Sequence, residues 1–239
     1  MNDLLTLAVA AHGGLDRWKK FKSVKVHASI TGAIWHVKGR PDVLKDVIMT
    51  AETHKERLIM DFPGKNKKTI FEAEKISVAN GEGVVSKVFE NPIMCFEGHL
   101  RDTPWEDVHV AYFSGEALWT YLTTPFLYTY PGFETVEIEP WEENGEIWRR
   151  LKVTFPDYIA SHTREQISFF GPDGLLRRHD YTVDILGGAT GANYATNYRD
   201  VDGIIIPTSR RIYAFEGDHI AVPEPLLVAV DMGEISFSS

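Results

Sequence analysis

The chain has 239 residues, 44% of them hydrophobic and 25% charged, which is the make-up of a folded globular protein and excludes global disorder. With 25 Lys and Arg against 34 Asp and Glu, the net charge is −9, which argues against a nucleic-acid partner, because that affinity rests on neutralising phosphates. The one cysteine, Cys95, excludes an internal disulfide framework and a thiolate metal cluster, and it fits a reducing compartment.

Leu4, Leu7, Ala8, Ala11, Leu15 and Trp18 recur at helical spacing, which predicts helix from Asn2 to Phe21 with a break at His12-Gly13-Gly14. The apolar run Leu4 to Ala11 is too short to span a bilayer. Asp3 precedes it and no Lys or Arg occurs before Arg17, so it does not read as an export signal, and the expected location is the cytoplasm. From Ser23 the period changes to two. Val24, Val26, Ala28 and Ile30 alternate with Lys25, His27, Ser29 and Thr31. Strands are predicted at Asp42–Thr50, Glu56–Asp61, Thr69–Glu72, Lys75–Ala79 and Gly83–Phe89, separated by Gly, Pro and Asn-Gly turns.

Thr103-Pro104-Trp105-Glu106 reads as a capping box with proline at the first helical position. Val108, Ala111, Tyr112, Gly115, Leu118, Trp119 and Leu122 continue it as a long helix that ends before Pro125. Strands return at Phe133–Glu139 and Glu146–Phe155 around Asn144-Gly145, and at Gln166–Phe170 and Leu175–Val183 around Gly171–Gly174. Tyr194–Asp200 and Ile204–Phe215 flank Val201-Asp202-Gly203, and Leu226–Ser236 is the last strand. That last strand, rich in Val228, Val230 and Ile235, reads as an open edge able to pair with a second copy in a homodimer. No repeat or linker divides the chain, so 1–239 reads as a single domain.

A dozen antiparallel strands with so few helices define an α+β class dominated by β structure. The economical packing is one strongly curved half-barrel sheet wrapped around the long helix, with an N-terminal helix beside it. Partial closure leaves a cavity between sheet and helix. This order, with the ending Asp202-Gly203-Ile204-Ile205-Ile206-Pro207-Thr208, resembles the LolA-like half-barrels. These are bacterial lipoprotein carriers and relatives, including a mycobacterial lipid-carrier lipoprotein and a cofactor-free enzyme of violacein biosynthesis. The chain is also similar to a bacterial family of about this length that has no assigned function. That similarity lies in His12-Gly13-Gly14, Ala117 to Phe126, Trp148-Arg149-Arg150-Leu151 and Arg178-His179-Asp180-Tyr181. The resemblance implies a concave, apolar ligand site.

The residues around Gly171–Gly174 give the candidate chemistry. A symmetric hairpin pairs Ser168 with Arg177, Gln166 with His179, Arg164 with Tyr181 and His162 with Val183, all on one face. The opposite face, with Glu165, Ile167, Arg178, Asp180 and Asp184, reads as a salt-bridged solvent surface. His162 and His179 then become candidate acid and base, and Tyr181 a candidate donor to an oxyanion. Arg149, placed by the Asn144-Gly145 hairpin on one face with Val136, Ile138, Leu151 and Val153, could pair a ligand carboxylate. Tyr112, Trp119, Leu122 and Phe126 are candidate pocket walls, or else plain core. Arg164, Gln166 and Arg177 complete the candidate binding set.

Other chemistries are poorly matched. The nine histidines include no His-Glu-x-x-His and no i, i+4 helical pair, so no metal or other cofactor is expected. Gly187-Gly188-Ala189-Thr190-Gly191 is followed by strand texture rather than a helix, which rejects a dinucleotide loop. Two readings lead: a binding protein for an apolar or amphipathic small molecule, and a cofactor-independent cyclase, isomerase or lyase in the same cavity. A partner-binding protein with a filled core is the third.

Overall fold

The computed structural model describes residues 2–239. Helix α1 (Asp3–Ala11) starts where the Asn2 side chain accepts a hydrogen bond from the Leu5 N–H at 2.8 Å. It stops at the predicted glycines, and α2 (Leu15–Trp18) follows. The first meander is β1 (Ser23–Thr31), the short helix α3 (Ala33–Val37), β2 (Val47–Glu52), β3 (Arg57–Phe62), β4 (Lys67–Glu72), β5 (Lys75–Asn80) and β6 (Val85–Glu90). Next comes α4 (Asp107–Thr123). The second meander is β7 (Glu134–Glu143), β8 (Glu146–Thr154), β9 (Glu165–Phe170), β10 (Leu176–Val183), β11 (Ala189–Val201) and β12 (Ile204–Tyr213). A small hairpin, β13 (Phe215–Glu216) and β14 (Ile220–Ala221), precedes β15 (Val228–Ser238).

Thirteen strands form one antiparallel sheet in the order β6-β5-β4-β3-β2-β1-β15-β12-β11-β10-β9-β8-β7. This corrects the open-edge reading of the last strand. β15 lies in the middle of the sheet, paired with β1 on one side and β12 on the other, and β6 and β7 are the edges. The sheet curls into a half-barrel whose concave face carries alternate apolar residues of the inner strands, while the edge strands β6 and β7 bury none. Val24, Val26, Ala28 and Ile30 are buried in this way along β1, as the period of two requires.

Sixteen of the seventeen residues of α4 are buried, so it is a helix enclosed on all sides rather than an amphipathic one. The cap differs from the expected one: Glu106 is the N-cap, its N–H donates to His109 Nδ1 at 2.9 Å, and Pro104 lies outside the helix. The helix packs on β3, β4 and β5. Gly115 allows that approach, because a Cβ there would lie 2.2 Å from the ring of the fully buried Phe71. Gly115→Ala is therefore expected to cost about 1–3 kcal/mol by overpacking. Urea titration checks this, and an unchanged midpoint would mean that the helix shifts freely on its sheet.

Candidate ligand-binding site

With α4 seated toward the first meander, a gap remains on its other side. It is a pocket of about 580 Å³, counting its open mouth. Phe113, Ser114, Ala117, Leu118 and Tyr121 of α4 form one wall. Ile30 of β1, Tyr181 and Val183 of β10, Gly191 of β11, Ile212 of β12 and Val230 of β15 form the other, and Trp35 of α3 closes a side. Gly191 lets the Tyr181 ring lie flat on the sheet, since a Cβ there would be 2.6 Å from the ring. The lining is almost wholly apolar, as a site for an apolar ligand requires.

The β9–β10 register explains which predicted residues reach this region. The strands pair His179 with Ser168 and Asp180 with Ile167, two residues away from the symmetric hairpin: the turn contributes one, pairing Leu176 with Phe170, and a bulge between Leu176 and Arg178 the other. A two-residue shift preserves the facing of every side chain. His162, Gln166, Ser168, His179, Tyr181 and Val183 are accordingly all buried on the concave side, though none of the predicted pairs exists. Arg177 sits at the bulge and escapes. It pairs with Glu146 at 3.2 Å and Asp173 at 2.9 Å. Arg164 is exposed and pairs with Asp157.

Arg149 is a further correction. β7 has its own bulge between Ile138 and Trp141, and this one shifts the register by one residue. Thr135 and Glu137, rather than Val136 and Ile138, therefore share a face with Leu151 and Val153. Glu137 holds the Arg149 guanidinium at 2.7 and 2.8 Å, and Asp3 adds a contact at 3.1 Å. A cation so neutralised has no need of a ligand carboxylate.

The aromatic candidates divide too. Trp119 is fully buried with its indole donating to the Glu52 carbonyl at 2.8 Å, and Phe126 stacks on Trp18 at 4.4 Å. Tyr112 packs edge-on to Phe71, and Leu122 is buried. These four are core, and none lines the apolar pocket. Gln166 donates to the Thr163 carbonyl at 2.8 Å and is likewise outside the lining.

At the pocket wall, His162 Nδ1 lies 2.6 Å from Glu116 Oε1, both buried. Burial pushes the Glu116 carboxyl above its ordinary range, and the neighbouring His162 offsets part of that. Tyr181 contacts the His162 ring on one side and the His179 ring on the other, at centroid distances of 5.0 and 5.3 Å, and its hydroxyl is 2.5 Å from that of Tyr121. Burial, then the charges of Arg210 and His162, pull His179 down to about 3. No group of three or more His, Cys, Asp or Glu suited to a metal occurs among the described residues.

Sequence reasoning missed Glu116, Tyr121 and Arg210. The signal for Glu116 was a single carboxylate inside an otherwise apolar helix. The signal for Arg210 was a cation at an inward position of the alternating run Ile204, Ile206, Arg210, Ile212. The opposite face of β10 also departs from expectation. Arg178 and Asp180 are each 1% exposed, so this is no solvent surface. The segment between β13 and β14 covers them, with the His219 carbonyl accepting from Arg178 at 2.6 Å and His219 Nδ1 lying 2.8 Å from Asp180.

The architecture is a LolA-like half-barrel. Solved structures of the same shape include a DUF1329 family protein from Desulfovibrio piger, with a TM-score of 0.55, 13% identity and coverage of 98% of this chain and 91% of that one. A LolA superfamily protein from Nitrosomonas europaea has a TM-score of 0.55 at 9% identity, covering 98% and 92%. A domain assigned to outer membrane lipoprotein sorting, from Vibrio parahaemolyticus, has a TM-score of 0.56 at 8% identity, covering 100% and 94%. No family model matches the sequence, and no curated protein matches it. Among the described residues, no helix is long and apolar enough to cross a membrane.

Proposed function

We propose that this chain is a binding protein for an apolar or amphipathic small molecule, held between α4 and the concave face of the half-barrel. The observation that carries the reading is the pocket itself, an open-mouthed gap walled by apolar side chains between α4 and the sheet. The similarity in shape to a lipoprotein-sorting domain supports it. The acid–base enzyme is the weaker reading. With a pKa near 3, His179 is neutral at pH 7, with no proton to give, and is a poor base.

Organic extraction of the purified protein, followed by mass spectrometry, is expected to release an apolar compound in stoichiometric amount. Protein recovered empty should bind 1-dodecanol, and saturation at a hundredfold over Kd should add about 3 kcal/mol to its stability. Ala117 faces the pocket, so Ala117→Phe is expected to fill it and abolish this binding while the melting temperature holds. An empty extract together with a wild type that ignores 1-dodecanol would reject the proposal.

A further inference from the structure

Beside the pocket lies a buried cation with no counter-charge. Arg210 is 1% exposed. One of its nitrogens, Nη2, donates to the Tyr121 carbonyl at 3.1 Å, while Nε and Nη1 have no partner. No carboxylate bonds it. Burial works against its charge, and the titratable groups around it are the neutral phenols of Tyr121, Tyr181, Tyr198 and Tyr128 rather than carboxylates. A buried guanidinium left this way is costly, and proteins ordinarily pair it.

Its neighbours are unsatisfied as well. Register pairs His179 with Asn193 across β10 and β11, and Ala195 with Arg210 across β11 and β12. His179, Asn193 and Arg210 thus run diagonally over three adjacent strands on the concave face. Nε2 of His179 and the Thr120 hydroxyl of α4 lack partners, and the Asn193 amide, beside the Tyr121 hydroxyl, makes no hydrogen bond of good geometry. Ala195, opposite Arg210, keeps the space beside the guanidinium small-walled. The cluster adjoins the apolar pocket: the guanidinium lies 4.6 Å over the ring of Tyr121, which is a pocket wall, and Ile212, two residues along the same strand, is another.

We infer that Arg210, with Asn193, is the recognition site for the anionic head group of an amphipathic ligand whose apolar chain fills the pocket, and that the head group is a carboxylate. This rests on the binding reading above. A carboxylate supplies acceptor oxygens to Nε, Nη1 and the Asn193 amide and brings the missing charge. A single cation balances a monoanion, whereas a phosphate monoester, with about −1.5 to −2 charges, would remain in excess.

The test uses two probes of equal chain length, dodecanoate and 1-dodecanol, titrated against wild type and Arg210→Met. Wild type is expected to prefer dodecanoate by about tenfold to a hundredfold, the worth of hydrogen bonds to a charged group. Arg210→Met should bring the two probes to within about twofold, chiefly through loss of dodecanoate affinity. If wild type binds both probes equally, the anion site is refuted and the apolar pocket stands. If it binds neither, the pocket reading falls and this inference with it. A preference for dodecanoate that survives in Arg210→Met also overturns it. Should Arg210→Met not fold, the comparison in the wild type decides, and Asn193→Leu, which removes one donor, should narrow the same gap.

Discussion

Asp180→Ala is expected to destabilise the protein by about 3–5 kcal/mol, the cost of removing one partner from a buried ion pair. Asp180 holds Arg178 in two bonds of 2.6 and 2.8 Å and also bonds His219. Without it the guanidinium keeps Glu143 at 3.0 Å and the Tyr194 hydroxyl at 3.0 Å, beneath the rings of Trp141 and Phe169. It stays out of water with its main partner gone. The His219 contact that fixes the β13–β14 segment over the convex face goes with it. Urea unfolding measures the loss. A change below about 1 kcal/mol, the range of an exposed pair, would mean that water reaches Arg178 freely.

Acid should unfold the protein earlier than carboxylate titration alone would predict. Burial holds His12 down to about 4 and His179 to about 3, against an ordinary value of 6.5. Both are neutral in the fold and take a proton in the unfolded chain below pH 6.5, so the unfolded state binds more protons there. The contribution of these two histidines is therefore full above pH 6.5 and falls as the pH drops from 6.5 toward 4. Each histidine withdraws about 3 kcal/mol by pH 4. Burial is what keeps the proton off His12: the Nδ1 donation to the Ala8 carbonyl at 2.8 Å works the other way, while Nε2 faces the Leu176 N–H. Glu56 and Glu116 act in the other direction. Burial raises both, so they keep protons that the unfolded chain releases, and stability declines as the pH rises through their range. Urea midpoints measured from pH 7 to pH 4 should fall steeply for wild type and less for His179→Gln. A wild-type midpoint that stays flat from pH 6.5 to 4.5 would refute the argument.

Local signals carried the sequence reading a long way. Alternation along β1, the glycine break after α1 and the apolar run of α4 name their elements directly, because each depends on neighbours within a few residues. Failures came where distant segments decide. β15 looks like an edge because nothing within it tells of β1, some 200 residues earlier in the chain. Arg178 and Asp180 look like surface because their cover is supplied by a hairpin some 40 residues on. The two bulges had opposite consequences for the candidate site. The one before Arg178 added one residue to a one-residue offset from the turn, and the total of two left His162, His179 and Tyr181 facing inward. The one after Ile138 moved it by one and turned Val136 away from the concave side. Pro140, which has no N–H to give to a ladder, was the visible warning of the second.

The central pairing of β1 with β15 also bears on synthesis. Each meander is built from hairpins between neighbours in the chain, so each forms as it leaves the ribosome. The seam joining them is different: Ser23 meets Ser238, and Thr31 meets Ala229. Until the final segment emerges, β1 has a partner on one side only, and the two half-sheets share no ladder. The β1 and β12 edges can therefore be covered only once the last segment is made, and the β1–β15 seam is the pairing of longest sequence separation in the sheet.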